Sequence, residues 1–301
     1  MANIVIITGF TGSGKSGLAI DIAKKYNGEV ISCDSVQVYK GLNIGSAKVT
    51  VEEMQNIPHH LIDIIEPHED YSVGRFVKDC ESAINDIISR GKLPILVGGT
   101  GLYIKALIDG YDFSSTTKHE DFRQKYFNLA TEFGNKYVWD KLNEIAPDKA
   151  QTVHENNVKR VIRYLEIATF GKQENTSYSV LSNYNTLCVG IVEDRELIYN
   201  KINQRVDVMI DLGLQHEVQT LLNKGLTLNN NCLNTIGYRE MVEYLQGKTT
   251  YNKCIELIKQ HTRNYCKRQL TFMKTIPNLK LMKKEEARKV IEEFLNDTIK
   301  Q

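Results

Sequence analysis

Gly9, Phe10, Thr11, Gly12, Ser13, Gly14, Lys15 and Ser16 make a glycine-rich loop that ends in Lys-Ser. Residues of these types at this spacing do phosphate chemistry. The glycines let backbone N–H groups converge on an anion, Lys15 adds a fixed positive charge, and the Ser16 hydroxyl is placed to help hold Mg²⁺. The loop follows the apolar run Ile4–Ile7 and opens a helix beginning near Ser16, with Leu18, Ala19, Ile22, Ala23 and Tyr26 on its buried face. A β-branched strand before the loop and an amphipathic helix after it are the context that phosphate binding requires. The ligand therefore carries two or more phosphates, and nothing in the loop says that it is ATP.

Asp34 follows a second apolar run, Val30–Cys33, and starts the segment Asp34-Ser35-Val36-Gln37-Val38-Tyr39-Lys40-Gly41. A carboxylate there can hold Mg²⁺ through water, act as a general base, or cap its own loop. Position alone leaves the three open. A third run, Leu93–Val97, ends in Gly98-Gly99-Thr100-Gly101, with no Asp after it and no Asn-Lys-x-Asp motif anywhere, which disfavours a regulatory GTPase.

These segments must be positioned by a common frame. The first hundred residues alternate apolar runs (Ile4–Ile7, Val30–Cys33, Leu61–Ile65, Ile95–Val97) with helical patterns, the clearest running from about Ser72 to Arg90. This alternation predicts an α/β fold, a parallel sheet with helices on both faces like that of P-loop NTPases. Ligands of such sheets bind beyond the carboxyl ends of the strands, so Gly9–Ser16, Asp34-Ser35 and Gly98–Gly101 should line one crevice. From residue 114 to 185 the strand signal disappears, which predicts an inserted all-helical subdomain between a first core segment, 1–113, and a return to the core with C-terminal helices, 186–301. Leu187–Val192 reads as the returning strand, Glu196–Leu212 as a long helix, and Lys283–Phe294 as a charged amphipathic helix.

Composition bounds the rest. The 301 residues, 42% hydrophobic and 25% charged, suffice for one large or two smaller domains, and a net charge of +1 means that any nucleic-acid contact must use a local patch. Six scattered cysteines without a C-x-x-C pair, and no secretory signal, point to the reducing cytoplasm. No apolar stretch approaches bilayer length, so no membrane association is expected. His59 and His60 lack ligand-spaced companions and are expected to support the fold or line the crevice.

Further segments carry a resemblance. They are Asp34-Ser35-x-Gln37-x-Tyr39-x-Gly41, Ile44-Gly45-Ser46-Ala47-Lys48, Pro58-His59-His60-Leu61-Ile62-Asp63, Tyr71-Ser72 with Phe76, and Gly98-Gly99-Thr100-Gly101-Leu102-Tyr103. They continue through Arg160-x-x-Arg163 with Leu165-Glu166, Arg195-Glu196-Leu197 leading to Arg205, Ile236-Gly237-Tyr238-Arg239-Glu240, and Lys267-Arg268-Gln269. With the loop Gly9–Ser16, this ordered series resembles the bacterial-type tRNA dimethylallyltransferases, or tRNA isopentenyltransferases, over residues 3 to 274. Ser46 stands where that family often has Thr, Asn157 where an acid is common, Asn234 where Gln is frequent, and Phe272 where Trp is usual. Nothing has the zinc-finger spacing found in eukaryotic members.

The resemblance implies transfer of a dimethylallyl group from dimethylallyl diphosphate to N6 of the adenine just 3′ of a tRNA anticodon, with diphosphate expelled. It implies that Gly9–Ser16 binds the diphosphate, with Mg²⁺ at Ser16, and that Lys15 and Arg205 hold the leaving group. Asp34 is the expected base for the adenine amine, and Thr100 touches the target nucleotide while standing where a helix N-cap would. Contacts to the anticodon stem-loop are carried over to Asp34, Ser35, Val36, Gln37, Thr100, Arg123, Lys159, Arg160, Arg163, Asn234, Gly237, Tyr238 and Arg239. Lys259, Arg263 and Lys267, at i, i+4 and i+8 and joined by Arg268, form a basic helical stripe that reads either as a solvated face or as a backbone-phosphate footprint. The resemblance favours the second, and a monomer is expected. Competing readings are an adenylate isopentenyltransferase acting on free AMP, ADP or ATP, a small-molecule kinase with a P-loop, and a non-catalytic RNA-binding ATPase.

Overall fold

The structure is a computed structural model that describes residues 1–110, 119–171 and 179–299. In chain order the first elements are β1 (Asn3–Gly9), α1 (Lys15–Lys25), β2 (Gly28–Ser32), α2 (Val51–Met54), β3 (His59–His60), α3 (Val73–Ser89), β4 (Leu93–Gly98) and α4 (Gly101–Asp109). Four helices follow, α5 (Glu120–Phe133), α6 (Asn135–Ile145), α7 (Pro147–Ala150) and α8 (Val158–Phe170). The chain ends with β5 (Asn185–Ile191), α9 (Arg195–Asp211), α10 (Leu214–Asn223), α11 (Tyr238–Leu245), α12 (Tyr251–Met273), β6 (Lys280–Met282) and α13 (Lys284–Ile299).

All pairings of the six-stranded sheet are parallel, in the order β3-β2-β4-β1-β5-β6. Alternation along the strands divides the core. Val5, Ile7, Val30, Ile95, Val97, Leu187 and Val189 pack with Leu18, Ala19 and Ile22 of α1 and with Ala287, Ile291 and Leu295 of α13. Their neighbours Ile4, Ile6, Ile31 and Leu96 are equally buried and point to the opposite face, where α3 packs against β2 and β4 through an apolar stripe that includes Phe76, Cys80, Ile84 and Ile87. Ser72 starts α3 by accepting from the Arg75 N–H at 3.1 Å, as an N-cap serine does. A second core, under α9 to α12, gathers Val38, Tyr39, Leu42, Val206, Leu214, Leu233, Tyr238 and Ile258.

One sequence reading changes, and one strand is new. Leu61–Ile65 is not a strand: Leu61 and Asp63 have φ of 61° and 55°, a left-handed backbone that cannot continue a ladder, so the strand is the shorter His59–His60 and Ile65 makes only an isolated bridge to Tyr39. The edge strand β6 had no signal beyond three residues and is created by pairing with β5.

The chain divides into two compact units, one made of Met1–Gly110 with Ser179–Gln301 and the other of Tyr111–Tyr178. The expected boundary at residues 113 and 114 lies outside the described residues. At the other end the first unit claims the chain from Ser179, not 186. The Ser179 hydroxyl donates to Leu107 O at 3.2 Å, the Tyr184 hydroxyl to Asn85 at 2.8 Å, and Asn185 already pairs with Asn3. Among its described residues the second unit is helical, with its own core of Val138, Leu142, Ala150, Val153, Val161, Ile162 and Leu165. No described helix is long and apolar enough to cross a membrane.

Candidate active site

The loop Gly9–Ser16 leaves the carboxyl end of β1, between β4 and β5, where the chain's crossovers diverge: β1 leads past β4 to β2, and β4 leads past β1 to β5. Gly14 stands before α1 with φ of 80°, which glycine adopts without steric cost. The loop is closed by Ser13 N–H donating to Phe10 O at 3.2 Å, and Lys15 Nζ donates to the same carbonyl at 3.4 Å. Among the described residues the buried Ser13 hydroxyl has no hydrogen-bond partner.

Asp34 sits just past β2. Its Oδ1 accepts from the Val36 N–H at 2.8 Å and the Gln37 N–H at 3.2 Å, so one oxygen caps the turn. Oδ2 has no hydrogen-bond partner among the described residues. One oxygen thus caps the turn, and the other remains open to either of the two remaining sequence readings, base or Mg²⁺ ligand through water.

Thr100 occupies the N-cap position of α4, yet its side chain makes no capping bond. Its Oγ1 accepts instead from the Ser35 N–H at 3.2 Å, tying the turn after β4 to the Asp34 loop. Gly99 is fixed by a close approach: a Cβ there would come within 2.4 Å of Gln269 Nε2, which donates to Gly99 O at 2.9 Å. The other end of the same amide, Oε1, accepts from the Thr11 N–H at 3.2 Å. Buried Gln269 therefore joins the phosphate loop to the Thr100 turn.

Arg205, from α9, donates to Ser46 O at 3.2 Å. Burial lowers its pKa, partly offset by Asp34 and Glu53. Lys15 is pulled down to about 8, first by burial and then by Arg205, with Asp34 and Cys266 acting in the other direction. Two cations and one carboxylate thus share a site with unmet positive charge, as an incoming polyanion would require.

Two cavities meet here. The larger, of about 630 Å³, is lined by Lys15, Ser16, Gln37 and His59. The smaller, of about 370 Å³, is lined by Ser35, Val36, Thr100, Asn234, Gly237, Arg239, Tyr265 and Arg268. Thr11, Asp34, Ser46, Arg205 and Met209 line both. One chamber offers phosphate ligands, the other an aromatic ring, amides and cations, and Asp34 lies on the wall between them.

Other expected contacts are placed differently. Tyr238 is fully buried; its hydroxyl donates to Glu217 Oε1 at 2.7 Å, and Glu217 accepts from the N–H groups of Asn43, Ile44 and Gly45. The Tyr238 side chain is part of the core and shapes the Ser46 loop. In the second unit Arg123 and Arg163 both bind the buried Glu166, at 2.6 Å each, which also accepts from the His119 N–H at 2.9 Å. Their charge is spent on an internal carboxylate. Lys159 and Arg160 are exposed on α8, with Arg160 donating to the Tyr164 hydroxyl at 2.8 Å.

The basic stripe on α12 also divides. Lys259 pairs with Asp207 at 2.7 Å and Arg263 donates to Asn203 at 2.7 Å, both on α9, while Lys267 and Arg268 are exposed and the Arg268 guanidinium lies 5.6 Å from the Tyr265 ring centre. His60 binds the buried Glu29 at 2.7 Å, and His59 bonds through Nδ1 to Ile57 O while lining the larger cavity. Sequence reasoning gave no role to Gln269, although it ended a quoted motif.

A parallel sheet whose phosphate loop opens onto a crevice shared with a free carboxylate oxygen and a second chamber defines an α/β group-transfer enzyme of the P-loop kind. The family model described as IPP transferase matches residues 37–276, and one described as isopentenyl transferase matches residues 2–64. A tRNA dimethylallyltransferase of Thermoanaerobacter sp. is 45% identical over 90% of this chain and 88% of its own, and one of Caldanaerobacter subterraneus is 43% identical over 99% and 98%. The crystal structure of the full-length tRNA isopentenylpyrophosphate transferase of Bacillus halodurans superposes with a TM-score of 0.75 at 37% identity, covering 100% of this chain and 97% of that one. A eukaryotic dimethylallyltransferase acting on tRNA gives 0.78 at 31% identity, over 95% and 75%. The chain belongs to the tRNA dimethylallyltransferase family and is a transferase.

Proposed function

We propose that the protein transfers the dimethylallyl group of dimethylallyl diphosphate to N6 of the adenine 3′-adjacent to the anticodon of tRNA, releasing diphosphate. tRNA prenylation follows from family membership; the donor, the atom and the residue roles are our reading. The observation that carries it is Asp34 on the wall common to a phosphate-binding chamber and a second, base-sized one.

In this reading the diphosphate lies on the loop Gly9–Ser16, where backbone N–H groups, Lys15 and Arg205 meet the charge that grows as the allylic C–O bond breaks. The adenine N6 lone pair forms the new C–N bond, and the amine's surplus proton passes to Asp34 Oδ2. Thr100, held against Ser35, borders the chamber that receives the base. Extracting that base from a stacked loop costs roughly a few kcal/mol, which Asn234, Arg239 and Arg268 can offset at the mouth.

The donor set fits Mg²⁺. Ser16 and Asp34, both hard oxygen donors, line the phosphate chamber, and no group of three or more His, Cys, Asp or Glu forms a metal cluster among the described residues. Such a site suits an ion that takes most of its ligands from phosphate and water. Ser16 would hold it, and when bound it supplies charge neutralisation on the diphosphate.

The test offers dimethylallyl diphosphate and Mg²⁺ with unmodified tRNA or with AMP, followed by mass spectrometry of the nucleosides and of tRNA fragments. Prenylated adenosine beside the anticodon, and none on AMP, is the expected result. Prenylated AMP without tRNA product would make the protein an adenylate isopentenyltransferase.

A further inference from the structure

The phosphate loop has a cationic neighbour that no motif contains. Strand β6 runs parallel to β5 and ends at Met282, whose carbonyl accepts from the Val192 N–H at 3.0 Å, so the chain after it emerges at the same sheet edge as the loop after β1. Lys284, the first residue of α13, is delivered there. A Cβ built on Gly14 would lie 3.5 Å from Lys284 Cδ and 3.6 Å from its Nζ, and Lys284 lines the cavity that holds Lys15 and Ser16.

Its position is fixed by the body of the helix. Ala287, Ile291 and Leu295 pack into the core beside α1, Lys25 pairs with Glu292 at 2.9 Å, Arg288 pairs with Asp21, and the Tyr26 hydroxyl donates to Asn296 at 3.2 Å. Helix α1 is the helix that the phosphate loop opens, so these contacts hold the start of α13 against that loop. The adjacent Lys283 pairs with Asp194 at 3.5 Å, whereas Lys284 has no hydrogen-bond or ion-pair partner among the described residues. A half-buried ammonium beside the loop, left unpaired, is set up for an anion that the protein itself does not supply.

We infer that Lys284 is a binding residue for the diphosphate, reaching the end of it that lies against Gly14, and that the C-terminal helix thereby forms part of the donor site. The inference rests on the reading of the loop as a diphosphate site. Lys284 binds the ground state and the departing product alike, because it stands beside the loop's Gly14 and not at the wall where Asp34 faces the second chamber. It therefore acts on donor affinity more than on the chemical step.

The experiment measures binding of inorganic diphosphate with Mg²⁺ by titration calorimetry to the full chain and to Lys284→Ala and Lys283→Ala, with donor kinetics alongside. Lys284→Ala should bind diphosphate about tenfold more weakly and raise KM for dimethylallyl diphosphate to match, with kcat within about twofold. Lys283→Ala should behave as wild type, and Lys284→Arg should recover most of the affinity. Since Lys284 lies off the packed face of α13, thermal unfolding of Lys284→Ala should be unchanged, and Lys284→Gln serves if it is not. Diphosphate bound equally by wild type, Lys284→Ala and Lys284→Gln overturns the inference and leaves the loop's reading intact; a wild-type protein that binds no diphosphate overturns both.

Discussion

The backbone N–H of Thr11 donates to Gln269 Oε1 at 3.2 Å, across 258 residues of chain. Because Gln269 Nε2 also donates to Gly99 O, one buried amide sets the distance between the loop Gly9–Ser16 and the turn that carries Thr100. Gln269→Leu leaves both backbone groups unpaired. It should lower kcat by about tenfold or more while folding is retained, as expected when reacting groups are misplaced by a fraction of an ångström. Gln269→Glu keeps an acceptor for Thr11 but sets a buried carboxylate oxygen against the Gly99 carbonyl, so it should lose at least as much activity as Gln269→Leu. Equal activity of Gln269→Leu and wild type would remove the amide from the mechanism.

In the proposed reading Lys15 makes donor binding depend on pH. Its pKa of about 8 in the free protein means that the ammonium is lost as pH rises through 8, so kcat/KM for the donor should fall above that value. The stability effect has the opposite sense. The folded pKa lies below the ordinary 10.5, so between 8 and 10.5 the unfolded chain binds more protons and stability rises with pH. Lys15→Met should therefore abolish donor binding yet raise Tm at pH 7, with the gain shrinking as pH rises through that window. Calorimetric unfolding at a series of pH values checks the sign.

Glu166 tests the second unit. Burial alone would raise its pKa, but Arg123, the His119 N–H and Arg163 together hold it down to about 2. Its contribution to stability is present above its ordinary 4.5 and is lost as pH falls through about 2. Glu166→Ala should destabilise by about 2–4 kcal/mol, below the upper end for buried pairs because the Arg123 and Arg163 side chains keep 23% and 33% exposure. Arg123→Ala should show itself first as a lower Tm, with tRNA affinity near wild type while the protein remains folded. A large loss of affinity at unchanged Tm would make Arg123 a direct contact.

Lys267, exposed on α12, should behave as a contact to the nucleic-acid backbone. Lys267→Ala is expected to weaken all tRNA substrates similarly and to reduce the salt slope of binding by about one. Lys259→Ala removes a cation already paired with Asp207 and should change that slope less. Filter binding across a salt series separates the two.

The sequence announced the parts of this site that are local in the chain. The loop Gly9–Ser16, Asp34 and Thr100 each follow a strand whose apolar run marks it, and the parallel topology carries all three to one crevice. What it did not announce depends on chain-distant packing. Gln269 and Lys284 reach the loop from α12 and α13, and no spacing rule links them to Gly9–Ser16. The placements that differ from a ligand-facing reading have the same origin. Tyr238 and Arg163 belong to quoted motifs and Arg123 is carried over with them, but none of this reveals whether a side chain faces a ligand or a buried carboxylate such as Glu217 or Glu166. Likewise the stripe Lys259, Arg263, Lys267 has true helical spacing, and only the neighbouring α9 decides that two of its members are already partnered.

The central claim is that the free oxygen of Asp34 takes the adenine proton at the junction of the two chambers. Asp34→Asn tests it most directly, because the amide oxygen can still accept from Val36 and Gln37 while the base is lost. Under single turnover with saturating dimethylallyl diphosphate and tRNA, prenyl transfer should slow by roughly 10²–10⁴-fold, with both substrates bound near wild-type affinity. Transfer at the wild-type rate by Asp34→Asn would contradict the account and leave Asp34 as a turn cap alone.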